Sequence, residues 1–418
     1  MKIAFISTFD SFVRANRILE TELSKFDISG DQMVMRVRMD QISDEQIQTI
    51  LGGPALHVLS IEETLNVLKV SGYDWVILCA ENTSCRRFFQ ILQNSEFTLG
   101  RPLVATIYPG ILFRHHYDGF SARMPADLVI LNSSKDRQCF DSLRGTYGDF
   151  LDNSFDLGPV TVLGSEAFEF NLDRNLVIFF DQPSVPKTRE EKFHIFEELS
   201  RLSVLHPNLE FCVKLRVSPK DATLHKGGQG TLAYLNEFNR KLPPGRRPLK
   251  LVDGSPRALI ARSKLVLSVS STALVEAVAC GCPAMAIADF GIDEDYGVSY
   301  FVGSGISGLL ENLDLADPPA VTVSWMAENV GNSDRRTIVL AERLAEELAS
   351  HRKDPRPARS IHPFYGSGTF FRFAVAKFGP GKTISRRYRN RQGAIIANYV
   401  LNFITKRLRA IFCSFFRR

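Results

Sequence analysis

Residues Leu265–Gly291 read LVLSVSSTALVEAVACGCPAMAIADFG. An apolar run, Leu265–Val269, ends in Ser270-Ser271-Thr272. An alanine-rich helical pattern follows at once through Ala273, Leu274, Ala277 and Val278. Gly281 stops it, Pro283 prevents a restart, and a second apolar run, Ala284–Ala288, leads into Asp289-Phe290-Gly291. The pattern predicts strand, tight turn, helix, strand. The turn gathers three hydroxyls and several unpaired N–H groups at a helix N-terminus, where the helix dipole is positive, and such a place suits a phosphate. The same turn also reads as the N-cap of an ordinary βαβ unit. A cap needs one hydroxyl; three in succession, with Glu276 one turn in, favour an anion site.

The same alternation extends to both sides. In the first half, strands are expected at Lys2–Ile6, Trp75–Cys79, Leu103–Ile107 and Leu128–Leu131, with helices such as Ser60–Lys69 and Cys85–Ser95 between them. Short polar turns follow the strands: Ser7-Thr8-Phe9-Asp10, Glu81-Asn82-Thr83-Ser84 and Tyr108-Pro109-Gly110. A break rich in Gly, Asp and Asn comes next. Val160–Leu163 is expected as one more strand and Asn171–Arg174 as a hinge. The alternation restarts with Leu176–Phe180, helix Arg189–Ser203, Glu210–Leu215, Lys250–Val252 and the opening segment. Ser333–Ser350 reads as a long helix, with Ser333 and Asp334 as its cap. Two consecutive α/β domains with parallel sheets face each other across a cleft in this scheme, and ligands belong at the C-terminal strand ends.

Composition narrows the class. A chain of 418 residues exceeds one typical core. With 44% hydrophobic and 23% charged residues it has the balance of a globular protein, and no run of 18 apolar residues predicts a spanning helix. The MKIAFISTFDSF start reads as a first buried strand rather than a signal peptide. Seven cysteines, odd in number and mostly within apolar runs, suit free thiols in a reducing cytoplasm. Cys280-Gly281-Cys282 is too closely spaced for a structural zinc pair. Charge is divided unevenly: residues 355–418 hold 14 Lys+Arg and no Asp or Glu, against 37 and 46 in the preceding 354 residues. An acidic body therefore carries a strongly basic tail. Within Gly393–Phe416, Ile396, Val400, Phe403, Ile404, Leu408, Ile411, Phe412 and Phe415 fall near helical spacing among Lys406, Arg407 and Arg409. That pattern fits an amphipathic segment at an anionic membrane surface. A docking helix or an unstructured tail are the alternatives; nucleic acid is not expected, since it leaves the apolar stripe unexplained.

The strand-end residues of the second domain form a set: Asp181-Gln182-Pro183-Ser184, Lys214-Leu215-Arg216, Asp253-Gly254-Ser255, Ser270-Ser271-Thr272 and Asp289-Phe290-Gly291. Two cations, amide donors from Gln182 and a helix N-terminus can surround a phosphate. In this order, Phe179–Pro186, Val213–Arg216, Val269–Ala273 and Asp289–Gly291 resemble a bacterial family of candidate glycosyltransferases. More distantly they resemble the GT-B glycosyltransferases that use CMP-activated acidic sugars, Kdo and sialic acids, in capsule and lipooligosaccharide assembly. The close resemblance covers roughly residues 175–310, and the first domain matches in layout only. It implies two Rossmann-like domains: an acceptor domain at residues 1–170 and a donor-nucleotide domain at 171–330. A helix and linker at 331–368 and the basic tail at 369–418 complete the scheme.

In the CMP-sugar enzymes a serine/threonine pair contacts the donor phosphate, which implies that role for Ser270 with Ser271 or Thr272. Those enzymes place His-Pro after an earlier strand, where this chain has Lys214-Leu215-Arg216; its His206-Pro207 lies ahead of the strand. The departure bears on CMP and not on the anion site. The implied donor set is Gln182, Lys214, Arg216, Ser270, Ser271, Thr272, Glu276 and Asp289. The general base of an inverting transfer belongs in the first domain. Candidates are Asp10 after the first strand, Glu81 after a middle strand, and His116 and Asp118 in the polar cluster Arg114–Gly119. Asp118-Gly119 resembles, in two residues, the acidic-glycine motif carrying the base in GT-B sialyltransferases.

No metal and no cofactor is expected; Asp293-Glu294-Asp295 reads as a solvated helix start. The expected partners are a nucleotide sugar, a glycan or glycolipid acceptor and an anionic membrane surface, with the protein peripheral on the cytoplasmic face. A nucleotide-sugar epimerase of the same fold and a non-catalytic scaffold are the rival functions.

Overall fold

The computed structural model describes residues 1–36, 42–112, 116–147, 151–165, 168–216, 228–331 and 333–359, all within one compact unit. The amphipathic tail lies outside the described residues.

The first half runs β1 (Lys2–Ser7), α1 (Asp10–Ser24), β2 (Ser29–Met35), α2 (Asp44–Leu51), β3 (His57–Leu59), α3 (Ile61–Ser71), β4 (Trp75–Cys79), α4 (Asn82–Leu92), β5 (Leu103–Thr106), α5 (His116–Arg123), β6 (Leu128–Leu131), α6 (Ser134–Tyr147) and β7 (Ser154–Asp156). Its sheet has the order β3-β2-β1-β4-β5-β6-β7, every pairing parallel. The second half runs β8 (Leu176–Phe180), α7 (Arg189–Leu205), β9 (Glu210–Lys214), α8 (Gly228–Arg240), β10 (Lys250–Leu251), α9 (Pro256–Arg262), β11 (Ser263–Ser268), α10 (Thr272–Ala279), β12 (Ala284–Ile287), β13 (Ser307–Gly308), α11 (Val323–Asn329) and α12 (Ser333–Lys353). Its sheet, β10-β9-β8-β11-β12-β13, is also fully parallel. Both are doubly wound. The order reverses between β1 and β4 in one and between β8 and β11 in the other, and ligand crevices open at such points.

The second sheet is covered on both faces, and alternate residues show it. Val177, Phe179, Leu265, Leu267, Met285 and Ile287 join one buried cluster with α7 and α8; Leu176, Ile178, Val266, Ala284 and Ala286 join another with α9 and α10.

The chain does not end in the second half. Helix α12 returns to the first sheet, where Leu340, Leu344 and Leu348, one per turn, pack with Leu19 and Leu23 of α1 and with Trp75 and Ile77. Trp75 Nε1–H donates to Leu344 O at 3.0 Å, and Arg352 pairs with Asp74 at 2.7 Å.

Two local expectations differ. Val160–Val162 is a 3-10 turn rather than a strand. Pro159 lacks an N–H for a ladder, and the segment crosses between halves, Val160 in the first core and Val162 in the second. Asp293–Asp295 is a turn rather than a helix start: Asp293 Oδ1 accepts from the N–H of Asp295 and of Tyr296 at 2.8 and 3.1 Å. The Ser333 and Asp334 side chains fall outside the described residues. Among the described residues no helix is long and apolar enough to cross a membrane.

Candidate functional site

The bend after β11 sits where the second sheet reverses its order. Ser271 is the N-cap of α10, its hydroxyl accepting from Ala273 N at 3.2 Å. Thr272 opens the helix, and its hydroxyl is bonded to Glu276 one turn on. Both are partly exposed, whereas Ser270 is buried. Of the first N–H groups of α10, that of Ala273 is taken by the Ser271 hydroxyl and that of Leu274 by Ser271 O at 3.1 Å, so the N–H offered at the partly exposed start is that of Thr272.

Ser270 and Gln182 hold this bend in place. Gln182 Oε1 accepts from Ser270 N at 2.8 Å and from Ser268 Oγ at 3.2 Å. Ser270 Oγ donates to Tyr296 O at 2.6 Å, and Tyr296 OH donates to Glu191 at 2.6 Å. Behind Gln182, Lys192 of α7 pairs with Asp181 at 2.6 Å and donates to Gln182 O at 3.3 Å, with both members of the pair buried. Of the three hydroxyls, that of Ser270 donates to Tyr296 O and that of Thr272 to Glu276, so the proton left to offer is that of Ser271. Asp289 has partners on both oxygens: Oδ1 lies 2.8 Å from His194 Nε2 and Oδ2 accepts from Leu310 N at 3.1 Å.

Lys214 ends β9, two strands from the bend and about 10 Å away at ordinary strand spacing, and Arg216 follows two residues on. Lys214 pairs with the exposed Asp253 at 2.9 Å. Among the described residues Arg216 has no hydrogen bond or ion pair; its side chain is exposed, and partial desolvation draws its guanidinium below the usual value. The charge felt by Arg216 that acts the other way is Asp10, from the far half. Asp10 and Arg216 are thus within electrostatic reach of each other across the two halves.

Glu276 lies at the same junction. Burial raises its carboxyl to about 7, against the pull of the Thr272 hydroxyl, of Arg14 on α1 and of Arg257 on α9. Gly110, after β5, comes closer still: a Cβ built on it would be 2.7 Å from Thr272 Cγ2. Asn132 fixes Gly110 by donating to its carbonyl at 2.6 Å.

The acceptor-side candidates separate clearly. Asp10 occupies the first turn of α1, after β1, and Phe9 is the N-cap. Glu81 follows β4. One of its oxygens accepts from Ser84, while Oε2 is buried with no hydrogen-bond partner among the described residues. These two flank the reversal point of the first sheet. Asp118 lies on α5 with both oxygens engaged, one by Arg86 and the other by Asn82 Nδ2 at 2.9 Å. His116 begins α5, but its side chain lies outside the described residues.

Residues 3–346 match the family described as "Putative glycosyltransferase (DUF6716)". The chain belongs to this family. No curated protein matches it by sequence. Among solved structures, the family member resembles UDP-GlcNAc 2-epimerase from Methanocaldococcus jannaschii, with 14% identity, a TM-score of 0.55, and 83% of this chain and 100% of that one covered. The UDP-GlcNAc 2-epimerase from Neisseria meningitidis, bound to UDP-GlcNAc, gives 12%, 0.52, 83% and 100%. At these identities the likeness is one of fold: two doubly wound halves in the GT-B arrangement.

Sequence reasoning overlooked Arg14, Gly110, Lys192 and Arg257. Arg14 carried a signal, since it stands four residues after Asp10 and shares its helix face. Lys192 carried none, because its contact with Asp181 depends on how α7 packs on the sheet.

Proposed function

We propose that this protein transfers a sugar from a nucleotide donor to a bacterial surface glycan or lipid-linked acceptor. The observation that carries the reading is Arg216, an exposed guanidinium with no hydrogen bond or ion pair among the described residues, which feels the charge of Asp10 from the other half. The donor phosphate would bind the Thr272 N–H at the start of α10, the Ser271 hydroxyl, Arg216 and Lys214. Glu276 would accept from a donor hydroxyl. Gln182 and Ser270 would serve the site by holding the bend.

Asp10 would take the proton of the acceptor hydroxyl as its oxygen attacks the anomeric carbon. The bond from that carbon to the phosphate oxygen breaks, and the nucleotide leaves with the electron pair. Arg216, Lys214 and the helix N-terminus would stabilise the charge on the departing phosphate. Attack from the face opposite the leaving group inverts the anomeric centre. Glu81, with its unpartnered oxygen, would orient the acceptor. The donor favoured is a CMP-linked acidic sugar, and the basic amphipathic tail would hold the enzyme to the inner face of the plasma membrane.

The UDP-GlcNAc 2-epimerases sharing this fold make UDP-GlcNAc the competing donor and isomerisation the competing reaction. Incubating the full chain with CMP- and UDP-sugars, with and without lipid-linked glycan, separates them. Nucleotide release that needs acceptor and yields a longer glycan is the expected result. An isomerised sugar formed from donor alone would replace transfer with epimerisation.

A further inference from the structure

The end of the first sheet away from the cleft carries a connected rim of loops, at the starts of β1, β4, β5, β6 and β7. Lys2 Nζ reaches Ser71 O at 3.5 Å, and its N–H reaches Asp74 at 2.8 Å. Thr98 N donates to Lys69 O at 3.3 Å, and Leu99 Cδ1 would lie 3.2 Å from a Cβ on Gly72. Arg101 donates to Arg356 O at 2.9 and 3.0 Å. Arg359 donates to Met124 O at 2.7 Å, beside Asn153, which reaches the same oxygen at 3.4 Å.

Three large apolar side chains stand on this rim: Val70 and Leu99, each 66% exposed, and Leu151, 48% exposed. Lys69, Arg352, Lys353, Arg356 and Arg359 accompany them. Asp74 and Asp127 are paired with Arg352 and Arg101. Glu96, Asp152 and Asp354 are exposed acids, so the rim itself is mixed in charge. The last described residue, Arg359, lies on this rim, and the 59 residues beyond it contain 12 Lys+Arg and no acid.

We propose that this rim is the part of the body that rests on an anionic lipid bilayer, Val70, Leu99 and Leu151 entering the headgroup region while the tail supplies the charge attraction. The inference rests on the reading of the tail as membrane-binding. Single apolar tips add little alone, but they add to a polybasic segment as a second signal for the same membrane. The strands run from this rim toward the cleft. The cleft then faces away from the lipid, and an acceptor must present its growing end on a carrier or glycan long enough to reach it.

The test is vesicle sedimentation of the full chain on phosphatidylcholine alone and on phosphatidylcholine with phosphatidylglycerol. Four proteins are compared: the wild type, a rim variant (Val70→Glu, Leu99→Glu, Leu151→Glu), a tail variant (Arg386→Gln, Arg387→Gln, Arg389→Gln, Arg391→Gln) and a control with exposed apolar residues changed elsewhere (Leu172→Glu, Val323→Glu). All changes in the body are at exposed positions, and circular dichroism checks that each protein is folded. The wild type and control should bind the anionic vesicles alike, and the rim variant about tenfold more weakly. Rim and wild-type proteins binding equally, with the tail variant released, overturns the rim proposal alone. A tail variant that binds as the wild type does overturns the tail reading beneath it. As a second readout, Trp at Leu99 should be quenched by brominated lipid and Trp at Leu172 should not; equal quenching also overturns the rim.

Discussion

Gly110 and Thr272 meet across the two halves: a methyl group on Gly110 would stand 2.7 Å from Thr272 Cγ2. No φ in the left-handed region explains this glycine, so its small size is what the contact uses. Gly110→Val should push the bend away from the first half. Displacement on the ångström scale can cost about 100-fold in rate. The expected result is a loss in kcat/KM of that order with little change in melting temperature, since the residue is outside the core. Initial rates beside a thermal melt check it.

Asp10 and Asp118 should behave differently. Asp10→Asn removes the proposed base and should lower kcat by about 100-fold or more while leaving donor affinity nearly intact. Asp118→Asn weakens a partly exposed pair with Arg86. It should cost less than about tenfold in kcat and on the order of 1 kcal/mol in stability. Parallel kinetics and denaturant melts of the two variants distinguish them. A larger kinetic loss at Asp118 would move the base to α5.

Lys192 is a support of the bend rather than a ligand. Lys192→Met leaves the buried Asp181 without its cation and should destabilise the protein by about 3–5 kcal/mol. Adding Asp181→Leu should recover part of that loss, because the uncompensated charge is gone. Chemical denaturation of the single and double variants measures both.

Glu276 supplies a pH dependence with a definite sign. Its folded-state value, about 7, lies above the usual 4.5, with burial the largest cause. The folded state therefore holds this proton more tightly than the unfolded chain, and the cost of ionising it grows from about pH 4.5 to about pH 7. Glu276→Gln removes that cost. The variant's stability relative to the wild type should rise between pH 5 and pH 8, while its donor affinity falls. Melting curves at the two pH values follow the first effect and calorimetry the second. A stability difference that does not change with pH would contradict the assignment.

The architecture was legible where strands were continuous apolar runs: β1, β4, β5, β6, β8, β9, β11 and β12 carry near-unbroken hydrophobic segments. β2 opens with Ser29-Gly30-Asp31-Gln32 and sits next to the sheet edge, so its partly exposed start lacks that pattern. β3 and β7 have three residues each, too few for a period. The return of α12 was hidden because its apolar spacing announces a helix, not the core it joins. Of the site candidates, Ser271, Thr272 and Arg216 could be named from strand-end position and Glu276 from its place one turn into the helix. What sequence could not show was that Ser270, Gln182 and Asp289 are occupied by Tyr296, Ser268 and His194, contacts made by distant segments.

The central claim is that the start of α10 and Arg216 together cradle a nucleotide's phosphate. Calorimetric titration of CMP, UDP, GDP and ADP into the full chain, and into the Ser271→Ala/Arg216→Ala double variant, tests it most directly. The account predicts that at least one nucleotide binds the wild type and that the folded double variant does not bind it. Equal affinity in both proteins would contradict it.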